Sequence, residues 1–300
     1  MKILNFGSCN IDHVYCVPHI VRPGETIAAG ELETFPGGKG LNQSIALARA
    51  GAVVYHAGCI GRDGQMLLDV LKKDGVLPDY LQVTDGPTGH AIIQLSDDGE
   101  NSIVLFGGGN RAIEKTYVDA VLSHFAAGDV LLLQNEINDV DYVVDRAFEK
   151  GMIIAFNAAP FGPNVAKIDL SKLTYLIVNE IEAAGIGGRA TVEGNLAEIR
   201  RRYPALSVVL TLGKQGCLYA DGDRCLRHPI YEVAVVDTTA AGDTFTGYFL
   251  ASMLSDGDVG TALKTASAAS ALAVSKKGAA TSIPYMDEVR AALKTLKPHV

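Results

Sequence analysis

Short apolar runs alternate with amphipathic stretches along this chain. The runs KILNFG (2–7), VVYHAGCIG (53–61), VLLLQNEI (130–137), MIIAFNAA (152–159), YLIVN (175–179) and SVVLTLG (207–213) are mostly continuous. Strands buried on both faces have this pattern. Between them, apolar positions recur at helical spacing in GQMLLDVLKKDG (64–75), VDAVLSHFAA (118–127), DYVVDRAFEKG (141–151) and EGNLAEIRRRYP (193–204). Gly75, Gly128 and Gly151 stand where helix C-caps fall. Alternating strands and helices predict an α/β fold, a doubly wound and mostly parallel sheet flanked by helices.

Two segments break this rhythm. Residues 11–35 and 88–106 show polar alternation, and HAIIQLSDDGENSIVLF (90–106) reads as a hairpin about Asp97-Asp98-Gly99. A hairpin inside an α/β chain must pack somewhere. A small sheet at one edge, a lid over the C-terminal ends of the main strands, is the economical placement, because open α/β sheets bind ligands there. The alanine-rich stretch 262–280 predicts a tightly packed helix with a polar end at Lys276-Lys277-Gly278. Without linker, repeat or low-complexity segment, residues 1–300 read as one domain.

Composition narrows the partners. The chain has 300 residues, 48% apolar and 20% charged, with a net charge of −8. An acidic chain has no general attraction to nucleic acid or anionic membranes. The start MKILNFGSCNIDHVY reads as an immediate strand rather than a signal peptide. No run of about 18 apolar residues suggests a membrane span. The cysteines Cys9, Cys16, Cys59, Cys217 and Cys225 are scattered, with no CxxC pair, so neither a disulfide framework nor a zinc site is indicated. Buried free thiols in a reducing cytoplasm are the expectation.

The strongest chemical signal is VVDTTAAGDTFTGYFLASML (235–254). We read a strand ending at Asp237, then small residues, then an apolar helix opened by Gly242-Asp243. Small residues let backbone N–H groups approach an anion at a helix N-terminus. A carboxylate at the same spot repels a merely bound anion. It makes sense where it takes a proton from an attacking hydroxyl while the amides hold a transferring phosphoryl group. The plain alternative for Asp243 is a helix cap.

ETFPGGKGLNQS (33–44) resembles a phosphate loop, but Glu33 stands where the first Walker glycine belongs and Gly40 follows the lysine. Lys39 and Asn42, at a helix start, suit a neutral polyol whose hydroxyls both donate and accept. Gly37 and Gly38 are read as letting the backbone pass close to that polyol. Asn10 and Asp12, two apart on a strand, face one side. They suit vicinal hydroxyls, unless they merely shape a turn. Glu136 follows a strand end, as do Asn179 and Glu182 in LIVNEIEAAG. LTLGKQGCLYADG (210–222), with Thr211, Gly213 and Gly216, either admits a nucleotide by backbone contact or is an ordinary hairpin.

Together GGKGLNQSIALARAGA and DTTAAGDTF resemble the signatures of the PfkB family of carbohydrate kinases, over nearly the whole chain, and the G-G-K-G-x-N-Q loop resembles its ribokinase branch. The resemblance implies transfer of the ATP γ-phosphoryl group to a primary sugar hydroxyl, with ribose 5-phosphate the expected product. It implies Asp243 as general base and Ala240, Ala241 and Gly242 as anion hole. Asn10, Asp12, Gly38, Lys39, Asn42 and Glu136 would bind sugar, and Asn179, Thr211, Gly213, Gly216, Gly242 and Ser267 ATP. Glu182 would help organise Mg²⁺. Asp237, Thr239, Ala273, Lys276, Gly278 and Ser282 match positions around a monovalent cation, usually K⁺. The lid in this family often pairs subunits, so a homodimer is expected. Departures stand at Leu41, where alanine is common, at His90, where an apolar residue is usual, in the glycine-rich LFGGGNRAI (105–113), and at Ser267, where a larger polar residue often stands. Another sugar, a sugar acid or a nucleoside is the alternative substrate. A silent sugar-binding protein is the alternative class. The missing G-x-G-x-x-G fingerprint counts against a dinucleotide oxidoreductase.

Overall fold

The continuous apolar runs form the interior of one large sheet. The computed structural model describes residues 1–222, 224–255 and 257–299. In chain order the strands are β1 (Ile3–Phe6), β2 (Asn10–Val17), β3 (Glu31–Gly37), β4 (Val54–Gly61), β5 (Leu77–Thr84), β6 (Gly89–Ser96), β7 (Asn101–Phe106), β8 (Val130–Gln134), β9 (Ile153–Asn157), β10 (Tyr175–Asn179), β11 (Ser207–Thr211), β12 (Cys217–Asp221) and β13 (Arg224–His228). The large sheet runs β13-β12-β11-β10-β9-β8-β1-β4-β5. It is parallel except for β12 and β13.

The helices are α1 (Lys39–Arg49), α2 (Gln65–Lys73), α3 (Lys115–Leu122), α4 (Val140–Glu149), α5 (Glu180–Gly187), α6 (Val192–Arg202), α7 (Ala241–Ser255), α8 (Val259–Val274) and α9 (Met286–Ala292). They cover both faces of the sheet. Val130 and Leu132 of β8 pack into one core with Leu41, Ile45, Leu67, Tyr248, Phe249 and Leu263. Leu131 and Leu133 pack into the other with Val118, Leu122, Val143, Val144 and Ile199. Alternate side chains of one strand thus enter different cores, which is why the run is apolar throughout. Full burial of each such side chain is worth about 1.5–3 kcal/mol.

The strand order reverses beside β1. From β1 the chain builds β4 and β5 on one side, then returns to place β8 on the other. That is the switch point at which open α/β sheets form a crevice. The residues just after β1 and β8 carry the candidate chemistry.

Residues from the two rhythm-breaking segments form a second sheet, in the order β3-β2-β6-β7. β2 and β6 pair in parallel, and the two outer pairings are antiparallel. The expected turn is there: Gly99 has φ +85° and its N–H bonds the Ser96 carbonyl. Ile11, His90 and Phe106 stand in one row across this sheet. The pleat places that row on the face opposite Asn10 and Asp12.

Three local expectations are corrected. The third helix starts at Lys115, and Gly128 does not cap it; with φ +83°, Gly128 turns the chain into β8 and bonds the Gly151 carbonyl. Gly75 and Gly151 do follow the helix ends, at φ +79° and +73°. No strand leads to Asp237. Pro229, without an N–H, ends β13, and the N–H groups of Val236 and Asp237 both bond the Val274 carbonyl at the end of α8. The alanine-rich helix closes there, at Val274, and the chain continues in turns. Among the described residues no helix is long and apolar enough to cross a membrane.

Candidate active site

The loop GGKG folds onto the chain leaving β1. Gly38 takes φ +94°, and a Cβ on Gly40 would lie 2.3 Å from the Ser8 nitrogen. The approach is held by Leu41 N–H bonding the Ser8 carbonyl and Gly40 N–H the Ser8 hydroxyl. Glu136, just past β8, accepts from the Ser8 hydroxyl and from Lys39 N–H at 2.9 Å. A Cβ on Gly37 would fall 2.0 Å from Asp12 Oδ2, so its bareness makes room for that carboxylate.

Asp12 and Glu136 share this corner. Burial first, and then the charge of Glu136, push the Asp12 carboxyl up to about 7. Glu136 is also raised by burial, while the Lys39 ammonium acts against the rise. Asn10 is 8% exposed and accepts from Asn110 Nδ2 at 2.7 Å. Asn110 also bonds both backbone groups of Cys9. Sequence reasoning passed over Asn110. The only signal was the unexpected glycine richness of LFGGGNRAI, where a Cβ on Gly109 would lie 2.5 Å from the Cys59 carbonyl oxygen.

Across the crevice, α7 packs tightly on α1. A Cβ on Gly247 would come within 2.4 Å of the Ala46 Cβ, so only glycine allows this spacing. The approach brings Asp243, 6% exposed, against the sugar-loop helix. Asn42 Nδ2 donates to Asp243 Oδ2 at 3.0 Å, and Gln43 Nε2 to Oδ1 at 2.8 Å. Asp243 is the first cause holding the Lys39 amine above its ordinary value, ahead of Glu136 and Glu182. The turn before α7 has Ala240 at φ +58°. Ala241 N–H bonds the Thr238 carbonyl at 3.3 Å, so that donor is engaged within the turn.

A cleft of about 880 Å³ opens beyond α7. Asn179, Thr211, Gly213, Gly216, Gly242 and Ser267 all line it, as expected of the nucleotide side. Residues 213–216 are both a hairpin turn and a cleft wall: Gly213 and Gly216 have φ +51° and +85° between the antiparallel β11 and β12. Asn179 and Glu182 form a capping box at the start of α5. Burial raises the Glu182 carboxyl, against the bond from Asn179 N–H and the Lys39 charge. Ser267 lies 3.5 Å from Cys217 Sγ. Tyr231, Val233, Val235 and Val274 make the apolar wall that sequence reasoning missed.

Of the candidate cation residues, three meet. Asp237 accepts from Thr239 N–H and hydroxyl on one oxygen and from Gly278 N–H on the other. Lys276 sends its ammonium to Glu288 instead, and its N–H bonds the Ala273 carbonyl. Ser282 is fully buried and its hydroxyl bonds the Ala279 carbonyl. Two of the departures, Leu41 and His90, have structural places. Leu41 is wholly buried in the core. His90 packs on Phe106 and near His13, away from Asp12.

The pfkB family carbohydrate kinase profile matches residues 1–286. This chain belongs to the pfkB family of carbohydrate kinases. It is 37% identical to the ribokinase of Bacillus subtilis, over 97% of this chain and 99% of that one. It is 36% identical to the ribokinase of Schizosaccharomyces pombe, with 96% of each covered. Among solved structures, a ribokinase from Thermotoga maritima superposes with a TM-score of 0.89 at 34% identity, covering 98% of this chain and 99% of that one. The Arabidopsis thaliana ribokinase complexed with ribose and ATP superposes with a TM-score of 0.87 at 30% identity, with 98% of each covered. As a pfkB member the chain is an ATP-dependent carbohydrate kinase.

Proposed function

We propose that this kinase transfers the γ-phosphoryl group of ATP to the primary O5 hydroxyl of D-ribose. One observation carries the reading: Asp243 touches the sugar-loop residues Asn42 and Gln43 while the same first turn of α7 borders the 880 Å³ cleft. A carboxylate there faces a hydroxyl on one side and a phosphate on the other.

The sugar lies against Asn10, Asp12, Gly38, Lys39, Asn42 and Glu136. Asp12 accepts from adjacent ring hydroxyls. Asn42 Oδ1 is buried without a partner in the protein, which suits a sugar hydroxyl donor. Asp243 takes the proton as O5 attacks in line. The N–H groups opening α7, in the Ala240-Ala241-Gly242 turn, together with Lys39, hold the charge on the transferring group. ATP occupies the cleft between Asn179, Thr211, Gly213, Gly216, Gly242 and Ser267, its base against the apolar wall.

Mg²⁺ fits as a rider on the ATP phosphates, because no three acidic, histidine or cysteine side chains converge as a metal site among the described residues. Glu182, at the start of α5, would help hold that ion. Asp237, Thr239 and Gly278 meet, and with main-chain oxygens around Ala273, Lys276 and Ser282 they would hold K⁺ through oxygen ligands alone. That ion, when bound, supplies positive charge beside the phosphoryl group and ties the 237–239 turn to the end of α8.

Residues 1–300 act as one unit, and the second sheet is its lid. Closure over the crevice excludes water from the phosphoryl group. The lid also pairs two copies: Ile103, Val104, Leu105 and Phe106 are 51–63% exposed on its edge strand, a run that solvent does not favour. Cys9, Cys59 and Cys217 are buried free thiols as expected, whereas Cys16 is partly buried and Cys225 exposed; unpaired thiols suit the cytoplasm.

A coupled ADP-release assay over pentoses, hexoses, sugar acids and nucleosides tests the substrate. D-ribose is expected to give the highest kcat/KM. Turnover of a nucleoside with none of D-ribose would overturn the sugar assignment.

A further inference from the structure

A chain of buried amides runs behind Asp243 without touching either substrate position. Gln43 is fully buried and Gln134 is 1% exposed. Asp243 Oδ1 accepts only, so Gln43 must present its amino group, as it does at 2.8 Å. The Gln43 carbonyl oxygen is thereby turned to Gln134, whose Nε2 donates to it at 2.7 Å and to Asn5 Oδ1 at 3.0 Å. Asn5 Nδ2 then donates to the Gly40 carbonyl at 2.7 Å and to the Ser44 hydroxyl at 2.8 Å. The Ser44 hydroxyl lies 2.8 Å from His56 Nδ1.

Both ends of this chain are groups that can only accept: the Asp243 carboxylate and the backbone carbonyl of Gly40. The direction of every amide between them is therefore set. Gln134 stands at the C-terminal end of β8 and Asn5 in β1, the two strands flanking the switch point. The most rigid part of the sheet is thus wired to one oxygen of Asp243 and, at Gly40, to the sugar loop.

We propose that Gln43, aimed by Gln134, is a positioning residue for phosphoryl transfer. It holds the Asp243 carboxylate in one rotation, so that Oδ2 faces the attacking hydroxyl. This rests on Asp243 being the base. A free carboxylate can rotate about its own bond, and the second amide contact from Asn42 sits on the substrate side. Preorganisation of this kind acts on the chemical step more than on binding.

The test uses Gln43→Leu and Gln134→Met, with Asp243→Asn as reference, and D-ribose as probe. Sugar stoichiometry and Kd are read by titration calorimetry, and kcat by ADP release. We expect each variant to bind one D-ribose per chain with Kd within about threefold of the parent, while kcat falls about 10- to 100-fold. A merely structural role would lower the bound stoichiometry along with kcat. Should Gln43→Leu not fold, Gln134→Met decides alone, since it removes the group that aims Gln43 while leaving Gln43, Asn42 and Asp243 themselves unchanged. Parental kcat in the folded variants would overturn the positioning role while leaving the base assignment standing. Turnover retained by Asp243→Asn would overturn both.

Discussion

At the scale of single residues, Asp12 as the proposed sugar ligand would tie pH to binding. Its carboxyl, at about 7, is largely protonated in the free protein at pH 6 and ionised at pH 8. A protonated carboxyl offers fewer acceptor sites to a diol. D-ribose is therefore expected to bind about tenfold more weakly at pH 6 than at pH 8. Calorimetry at the two pH values checks this, and a flat Kd would contradict it. The same shift sets a stability trend. The folded value lies above the ordinary 3.8, so the cost of burying this charge grows from about pH 4 to pH 7 and persists above. Asp12→Asn should raise the melting temperature more at pH 8 than at pH 4. Residues of this kind were partly legible in the sequence. Asp12, Glu136 and Asp243 follow strands or open a helix, where local pattern reveals them. Asn110 and Gln134 were not, because their partners lie 100 and 91 residues away.

At the scale of elements, the α1–α7 contact is the hinge of the account. Gly247→Ala would put a methyl group against Ala46 and Leu47 and push α7 outward. Overpacking of this sort costs about 1–3 kcal/mol. Denaturant unfolding should show that loss, with kcat falling as Asp243 leaves Asn42 and Gln43. A variant as stable and active as the parent would refute the tight contact. The strands of the large sheet were legible because burial on both faces writes an unbroken apolar run. The run before Asp237 misled for a related reason. Val233 and Val235 line the 880 Å³ cleft and do not enter the sheet. Periodicity reports burial or contact without saying with what.

For the whole molecule, the switch point beside β1 gathers residues 8–12, 37–43 and 136, and α7 brings the cleft to them. The strand alternation predicted this sheet, and the hairpin at residues 97–99 predicted the second one. The parallel pairing of β2 with β6 was not legible, since no local signal relates two hairpins distant in sequence. The proposed dimer follows from the exposed edge strand. Phe106 pairs with His90 and Val104 with Ile92, two residues on, so both lie on the face opposite Asp12, and charging them spares the proposed sugar face. Val104→Asp with Phe106→Asp should sediment as a monomer where the parent sediments as a dimer. A monomeric parent would contradict the pairing.

The central claim is that Asp243 takes the proton from the sugar while the first turn of α7 holds the phosphoryl group. Asp243→Ala tests it most directly, with D-ribose affinity by calorimetry and turnover by ADP release on the same preparation. A lost general base is expected to lower kcat by about 10²–10⁴-fold, with D-ribose still bound at one per chain. Turnover near that of the parent would contradict the account.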